Sequence, residues 1–228
     1  MRGYRNGATA EYVAVPGENV YKIPDGVSFA EASMAEPVGN AVHLVRRAGV
    51  GRGAQVVVIG AGAIGSIAAQ VARAYGAETV AVIEPSAFKR NLALKLGAGR
   101  AFDPQQERLE EQVREFFGGN GADVVLECCG IARTYQLAVR LVRQRGVVGA
   151  LGYVDEQIPF PMRPIIFGEV SIVGSTGFHW PDDPAIEMIA DGRVNVKPLI
   201  THTFDLERAQ QAYETAGAPD AVKVVIIP

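Results

Sequence analysis

A glycine-rich turn between two segments of different hydrophobic period is the feature that most constrains the fold of this chain. Residues 55–59 (Gln-Val-Val-Val-Ile) form a β-branched run, which is typical of a strand buried on both faces. The run Gly60-Ala61-Gly62-Ala63-Ile64-Gly65 follows it directly. From Ile64 the apolar residues recur at helical spacing as far as Gly76. Strand, glycine turn and helix in this order predict the beginning of a βαβ unit.

Each glycine of this turn has a physical role in a dinucleotide-binding site. Gly60 permits the tight turn, Gly62 lacks the Cβ that would obstruct a pyrophosphate, and Gly65 lets the helix approach the sheet. The free N–H groups at the helix start, with Ala63 and Ile64, would face the phosphates. The motif alone could also be a glycine-rich turn without a ligand. Its position between a strand and a helix favours dinucleotide binding.

An acidic residue at the next strand end supports the dinucleotide and indicates which one binds. Glu84 follows the predicted strand 79–83 and lies 19 residues after Gly65, close to the roughly 20 expected for the acid that binds the adenosine ribose. A carboxylate accepts ribose hydroxyls and repels a 2′-phosphate, so NAD is favoured over NADP. The alternative is an exposed glutamate at a strand end. Lys89 could lie near the same ribose or on a solvated helix face.

Strand-like and helix-like segments alternate along the rest of the central region. The further predicted strands are 100–102, 123–128, 146–151 and 170–173, and the predicted helices are 86–96, 109–117 and 134–142. Strands separated by helices imply parallel pairing with right-handed crossovers. We therefore predict an α/β fold with a doubly wound parallel sheet over residues 40–178.

The two ends of the chain have a different pattern. Residues 1–39 contain a predicted strand at 9–15, and residues 179–228 contain a helix capped by Asp205 and a strand at 223–227. Each end is too small to be a domain alone. We expect them to pack together as parts of one domain.

Composition excludes several classes of function. With 22 Lys+Arg and 25 Asp+Glu the net charge is −3, and the basic residues are scattered, so neither nucleic acid nor an anionic membrane is an expected partner. The longest apolar stretch has 14 residues, which is shorter than the about 20 residues of a membrane helix.

The only two cysteines, Cys128 and Cys129, are adjacent, which excludes a disulfide scaffold and a spaced zinc pair. Without a secretion signal, the cytoplasm is the expected location.

An ordered set of short motifs is similar to one known family. The set consists of Glu36-Pro37, Gly53, the glycine turn, Leu96-Gly97-Ala98, residues 121–130 (Gly-Ala-Asp-Val-Val-Leu-Glu-Cys-Cys-Gly), Gly174-Ser175, residues 198–202 and residues 223–225. It resembles the zinc-dependent medium-chain dehydrogenase/reductase family, nearest its polyol and threonine dehydrogenase branch, over essentially the whole chain. The resemblance implies an NAD-dependent alcohol or polyol oxidoreductase with a Rossmann domain. The two chain ends would be remnants of its GroES-like β domain.

The resemblance also implies further contacts with the cofactor. Cys128, Leu151 and Gly152 would lie along it, and Ser175 would lie near the nicotinamide. The two adjacent cysteines could be reactive thiols or small buried side chains at a strand end, and the second is favoured. Their contact with the cofactor would then be through backbone and shape. Separately, the predicted strand 170–173 could pair across a two-fold axis, which suggests a homo-oligomer through a sheet edge or an assembly role.

This sequence departs from the family mainly at the zinc ligands. Its cysteine, its Gly-His-Glu histidine and its four-cysteine loop all precede the matching region, so the resemblance implies an N-terminally truncated catalytic domain. Only Glu36 matches a metal-linked position, and one carboxylate cannot hold a catalytic zinc, which needs about three protein ligands. His43, His179 and His202 are widely spaced, and we expect no zinc on this chain unless another segment supplies ligands. Phe178 and Trp180 remain as candidate pocket lining. A non-catalytic NAD(H)-binding module and one half of a split dehydrogenase both remain open.

Overall fold

The computed structural model describes residues 7–176 and 184–228. Within them, the main sheet has six parallel strands in the order β3-β2-β1-β4-β5-β6. The strands are β1 (Gln55–Ile59), β2 (Thr79–Ile83), β3 (Arg100–Phe102), β4 (Ala122–Glu127), β5 (Val142–Ala150) and β6 (Ser171–Gly174). This order reverses between β1 and β4, so the carboxyl ends of those two strands border a crevice.

Helices cover both faces of the main sheet. The helices are α1 (Phe29–Ala32), α2 (Ala35–Arg47), α3 (Ala63–Ala74), α4 (Ala87–Lys95), α5 (Leu109–Phe116), α6 (Ala132–Leu141), α7 (Met162–Gly168), α8 (Ala185–Ala190) and α9 (Ala209–Thr215). Val56 and Val58 of β1 belong to the core that α2, α3 and α8 cover. Val57 and Ile59 belong to the core beneath α5 and α6. The predicted doubly wound α/β sheet is confirmed, and burial on both faces explains the unbroken β-branched run.

Helix capping accounts for where two of the predicted helices begin. Ser86 accepts a hydrogen bond from the backbone N–H of Lys89 and caps α4. Asp205 accepts one from the N–H of Arg208 and caps the short 3₁₀ turn that precedes α9. In the described part of the chain, no helix is long and apolar enough to cross a bilayer.

The structure differs from the predicted elements in several places. Residues 9–15 are not a strand: no other segment pairs with them in the described structure, and Tyr12 is 90% exposed. The β5 strand begins at Val142, four residues earlier than expected, because a register shift between Ala122 and Val124 of β4 lets the pairing start directly after α6. Helices α7 and α8 and strand β7 were not predicted.

The two chain ends lie together beside the main sheet. Strands β7 (Ile200–Asp205) and β8 (Lys223–Ile227) form a second, parallel two-stranded sheet with α9 between them. The Thr9 hydroxyl lies 3.4 Å from the Tyr213 hydroxyl of α9. The division of the chain into three segments at 39/40 and 178/179 stays a prediction.

A buried amide attaches the segment after α8 to the main core. Gln70 of α3 is buried, and its Oε1 accepts a hydrogen bond from the Asn195 N–H at 2.8 Å. Its Nε2 donates to the Asn195 carbonyl oxygen at 3.3 Å. The neighbouring Val194 and Val196 are almost fully buried in the α2/α3 side of the core. The Gln70 side chain therefore pairs with both backbone polar groups of Asn195.

Candidate functional site

The glycine turn after β1 is shaped by close contacts at two of its three glycines. Gly60 has φ +95°, and a Cβ there would lie 2.6 Å from the Cys129 Sγ. A Cβ on Gly65 would overlap the carbonyl oxygen of Gly60. Nothing lies within 4 Å of a Cβ built on Gly62. The turn therefore requires glycine at its two ends for packing and leaves open space at its middle.

The helix that follows the turn presents unpaired donors to that space. Gly62 is the N-cap of α3, no side chain caps it, and the first turn contains no acidic residue. Ala63 and Ile64 are half-buried at this end. First-turn N–H groups have no partner within their own helix and form the positive end of its dipole. An anionic group such as a pyrophosphate fits this cradle.

Glu84 is attached to the cradle by backbone hydrogen bonds. It follows β2 and is only 8% exposed, so the alternative of an exposed strand-end glutamate is wrong. Its Oε2 accepts from the Ala61 N–H and its Oε1 from the Ser86 N–H, both at 2.9 Å. Lys89 is half-buried in the first turn of α4 on the same side of the sheet. The carboxylate thus joins the glycine turn to the loop that follows β2.

A second buried carboxylate, which the sequence analysis missed, lies at the carboxyl end of β4, in register with Ile59 of β1. Glu127 ends this strand with a fully buried side chain. Its Oε1 accepts from the backbone N–H groups of Cys129 at 2.9 Å and Gly130 at 3.0 Å, and the Thr134 hydroxyl lies 2.7 Å away. The signal was available, because Glu127, like Glu84, ends an apolar strand and precedes a loop.

The loops after β4 and β5 are packed against each other through glycines. A Cβ on Gly130 would overlap the backbone of Tyr153, and one on Gly152 would overlap both Gly130 and the Glu127 carboxylate. The N–H groups of Leu151 and Gly152 donate to the Glu127 carbonyl oxygen, each at 3.1 Å. Glu127 therefore holds one loop through its side chain and the other through its main chain.

Both cysteines are free thiols next to Glu127. Burial, followed by the Glu127 charge, raises the pKa of the Cys128 thiol well above its usual range. Burial and the charges of Glu127 and Glu84 raise the pKa of Cys129 to about 12. Cys129 is exposed as a residue, but its sulfur lies against Gly60. Both thiols are therefore protonated at neutral pH and contribute shape to this edge of the sheet.

An unsatisfied hydroxyl lies beyond the end of β6. The Ser175 Oγ is buried and has no hydrogen-bond partner in the described structure, while the Ser175 N–H donates to the Ala150 carbonyl oxygen at 2.8 Å. A buried polar atom without a partner costs about 1–3 kcal/mol. Ser175 therefore has an unused donor and acceptor at the same edge of the sheet as the glycine turn.

The residues considered as metal ligands are not brought together. Glu36 is exposed in the first turn of α2, and its Oε1 accepts from the Asn40 Nδ2 at 2.8 Å. His202 lies on β7 with its Nδ1 3.0 Å from the Thr201 hydroxyl. Among the described residues, no group of three or more His, Cys, Asp or Glu side chains could hold a metal ion. His179, Phe178 and Trp180 lie outside the described residues.

The glycine turn, the uncapped helix and the two acids meet at the carboxyl edge of a doubly wound sheet, which defines a Rossmann-type nucleotide-binding fold. A family model for zinc-binding dehydrogenases matches residues 63–191. The chain belongs to this family, the medium-chain dehydrogenases, as its motifs predicted.

Its relatives are dehydrogenases of small alcohols. The chain is 32% identical to sorbitol dehydrogenase of Halalkalibacterium halodurans, over 98% of this chain and 66% of that protein. It is 35% identical to L-threonine 3-dehydrogenase of Pyrococcus furiosus, over 97% of this chain and 65% of that protein. A solved structure from Sinorhizobium meliloti, described as a zinc-binding dehydrogenase bound to NADP, is 30% identical with a TM-score of 0.92, covering 99% and 67% of the two chains. The chain thus spans slightly less than two thirds of these curated relatives.

Proposed function

We propose that this chain binds NAD(H) and is the cofactor-binding part of an alcohol or polyol dehydrogenase. The cradle formed by the glycine turn and the start of α3 carries the proposal. A Cβ on Gly62 would meet open space, α3 has no side-chain cap, and its first turn contains no acid. This combination leaves donors and space for a pyrophosphate. Sorbitol and threonine dehydrogenases among the relatives support a secondary alcohol as substrate.

Glu84 supports NAD in preference to NADP. Its buried carboxylate is fixed by the Ala61 and Ser86 N–H groups, and each carboxylate oxygen keeps a further lone pair for a ribose hydroxyl. A 2′-phosphate at this position would meet a fixed negative charge. The structural neighbour from Sinorhizobium meliloti binds NADP, so cofactor choice has to be measured for this chain.

The remaining residues fit the other parts of the cofactor. Gly60 and Gly65 shape the turn and Ala63 and Ile64 flank it, and Lys89 would lie on the ribose side. Cys128, Leu151 and Gly152 line the loops after β4 and β5, where the dinucleotide would extend. Ser175 would use its unsatisfied hydroxyl at the nicotinamide end. When bound, the nicotinamide supplies the acceptor for the two electrons of alcohol oxidation.

The described residues do not fit a catalytic zinc. Glu36 is the one position that matches a metal-linked residue of the family, and it is exposed with an amide as its partner. Zinc catalysis needs about three protein ligands, so Glu36 would act only with ligands from another segment. This observation favours a second candidate function, an NAD(H)-binding chain without catalysis of its own or one half of a split dehydrogenase.

A direct titration tests the proposed cofactor. NADH and NADPH are added separately to the purified chain, and nicotinamide fluorescence is followed. We expect NADH to bind below about 1 mM, with NADPH weaker. Absence of NADH binding at millimolar concentrations would contradict both candidate functions. NAD reduction with sorbitol and threonine then distinguishes them, because only a catalytic chain turns over.

We also propose that the chain self-associates through β6 and works in the cytoplasm. The β6 strand ends the six-stranded sheet, and Ser171, Ile172 and Gly174 are exposed on it. Such an edge can pair with a second copy across a two-fold axis. Ile172→Lys should convert dimers to monomers in analytical ultracentrifugation, and an unchanged mass would exclude this edge. The free thiols support a reducing compartment.

A further inference from the structure

Glu127 is a buried anion without a counter-ion. None of the ion pairs in the described part of the chain includes it. Two backbone N–H groups, from Cys129 and Gly130, point at its carboxylate. Hydrogen bonds from such donors to a charged acceptor are shorter and stronger than those to a neutral one. The loop after β4 is therefore built around a fixed negative charge.

The Glu127 carboxylate lies close to the glycine turn, with only Cys129 between them. The Cys129 N–H donates to Glu127, and the Cys129 sulfur lies against Gly60. The raised pKa of the Cys129 thiol reports the same field, because Glu127 is its largest cause after burial. Glu127 also contacts the loop that contains Gly152. Both loops would border the nicotinamide half of the cofactor.

The nicotinamide ring is positively charged in NAD⁺ and neutral in NADH. A fixed anion in a poorly hydrated edge of the sheet attracts the oxidised ring, and the interaction is stronger there than in water. We propose that the buried Glu127 carboxylate biases the cofactor site toward NAD⁺ relative to NADH. Glu127 is then a positioning residue with an electrostatic effect, and the inference rests on the proposed binding of NAD(H).

Two substitutions at Glu127 separate charge from geometry. Glu127→Gln removes the charge and keeps an oxygen for the N–H groups of Cys129 and Gly130. Glu127→Asp keeps the charge and shortens the side chain. The dissociation constants of NAD⁺ and NADH are measured by isothermal titration calorimetry on the full chain. We expect Glu127→Gln to shift their ratio about three- to tenfold toward NADH, and Glu127→Asp to weaken both forms with little change in ratio.

Two further variants control for packing and keep the test valid if the Glu127 variants do not fold. Val139→Ala opens a cavity in the apolar core beneath α6 without removing a charge or a hydrogen bond, so both cofactor forms should weaken equally. Arg133 is exposed and partly offsets the negative charge at Cys129. Arg133→Gln should therefore shift the ratio toward NAD⁺, by about 1.5- to twofold after solvent screening.

The outcomes distinguish this inference from the proposed function. If the wild-type chain binds neither NAD⁺ nor NADH, the proposed function fails and this inference fails with it. If both bind and Glu127→Gln leaves their ratio unchanged, the inference alone is overturned. Should neither Glu127 variant fold, an unchanged ratio in Arg133→Gln overturns it. A shift with Val139→Ala as large as with Glu127→Gln would also overturn it, since packing would then explain the effect.

Discussion

The carboxyl edge of the main sheet and the side of the molecule that contains the chain ends are built in opposite ways. At the carboxyl edge, Glu84 and Glu127 are buried and their oxygens are occupied by backbone donors. On the other side, Glu36 is exposed, and large aromatic side chains such as Tyr12 and Phe29 are mostly exposed. Within the described residues, the backbone donors and buried acids are therefore gathered at the carboxyl edge, and no group of potential metal ligands is gathered on the other side.

The largest expected effect is on the packing of the glycine turn. Gly65→Ala would place a Cβ into the Gly60 carbonyl oxygen, so we expect a loss of about 2–3 kcal/mol in the free energy of unfolding and no measurable NADH binding. Gly62→Ala is the matched control, because its Cβ meets open space. It should change stability by less than about 1 kcal/mol while weakening NADH at least about tenfold. Urea unfolding gives the stability of both variants, and NADH fluorescence gives their affinity. Equal destabilisation of Gly65→Ala and Gly62→Ala would contradict this description of the turn.

The second prediction concerns the Cys129 thiol. Its pKa of about 12 lies above that of a free cysteine, so at pH 8 the native chain has far less thiolate than the unfolded chain. In a Cys128→Ser background, iodoacetamide should modify native Cys129 at least about 100-fold more slowly than in urea. The native rate should rise about tenfold per pH unit between pH 8 and 11, as mass spectrometry can follow. A rate that levels off near pH 9 would show an ordinary thiol.

That raised pKa also fixes the sign of a stability effect. The native state holds the Cys129 proton more tightly than the unfolded state, so the stabilisation is complete below about pH 8.5 and is lost as the pH rises toward 12. Cys129→Ser should flatten the alkaline decline in stability. An identical decline in both proteins would exclude Cys129 as its source.

The third prediction tests the proposed contact between Glu84 and the ribose. Glu84→Ala removes the acceptor for the Ala61 and Ser86 N–H groups, so NADH affinity should fall about tenfold. The preference for NADH over NADPH should also fall. Glu78→Ala is a suitable control, because Glu78 is an exposed carboxylate at the other end of β2. If both cofactors keep their affinities in Glu84→Ala, the acid does not contact the ribose.

The smallest effect is expected at Glu36. The purified chain should contain less than one equivalent of zinc by elemental analysis, because an exposed carboxylate bonded to Asn40 lacks the other ligands. Glu36→Gln should leave that zinc content unchanged. If the wild type held a full equivalent of zinc and Glu36→Gln lost it, Glu36 would belong to a metal site, and the described difference between the two sides of the molecule would be wrong.

The central sheet could be predicted from the sequence because its strands are buried on both faces, as Val56 and Val57 on opposite sides of β1 show. The sequence analysis failed where tertiary contacts decide the structure. Residues 9–15 have a strand-like composition but no strand partner in the described structure. The position of Glu127 at the end of an apolar strand was visible in the sequence, but its contacts depend on loops that meet only in the fold.

The Gln70 amide has a consequence for where the polypeptide can be shortened. Its two bonds to Asn195 cross the sequence from α3 to the segment after α8. A shorter protein that ended after β6 would leave the Gln70 Oε1 without its donor and would uncover the part of the core that Met188 and Leu199 cover. Expression of the nucleotide-binding part by itself would therefore have to extend through residue 199 to give a soluble, folded product.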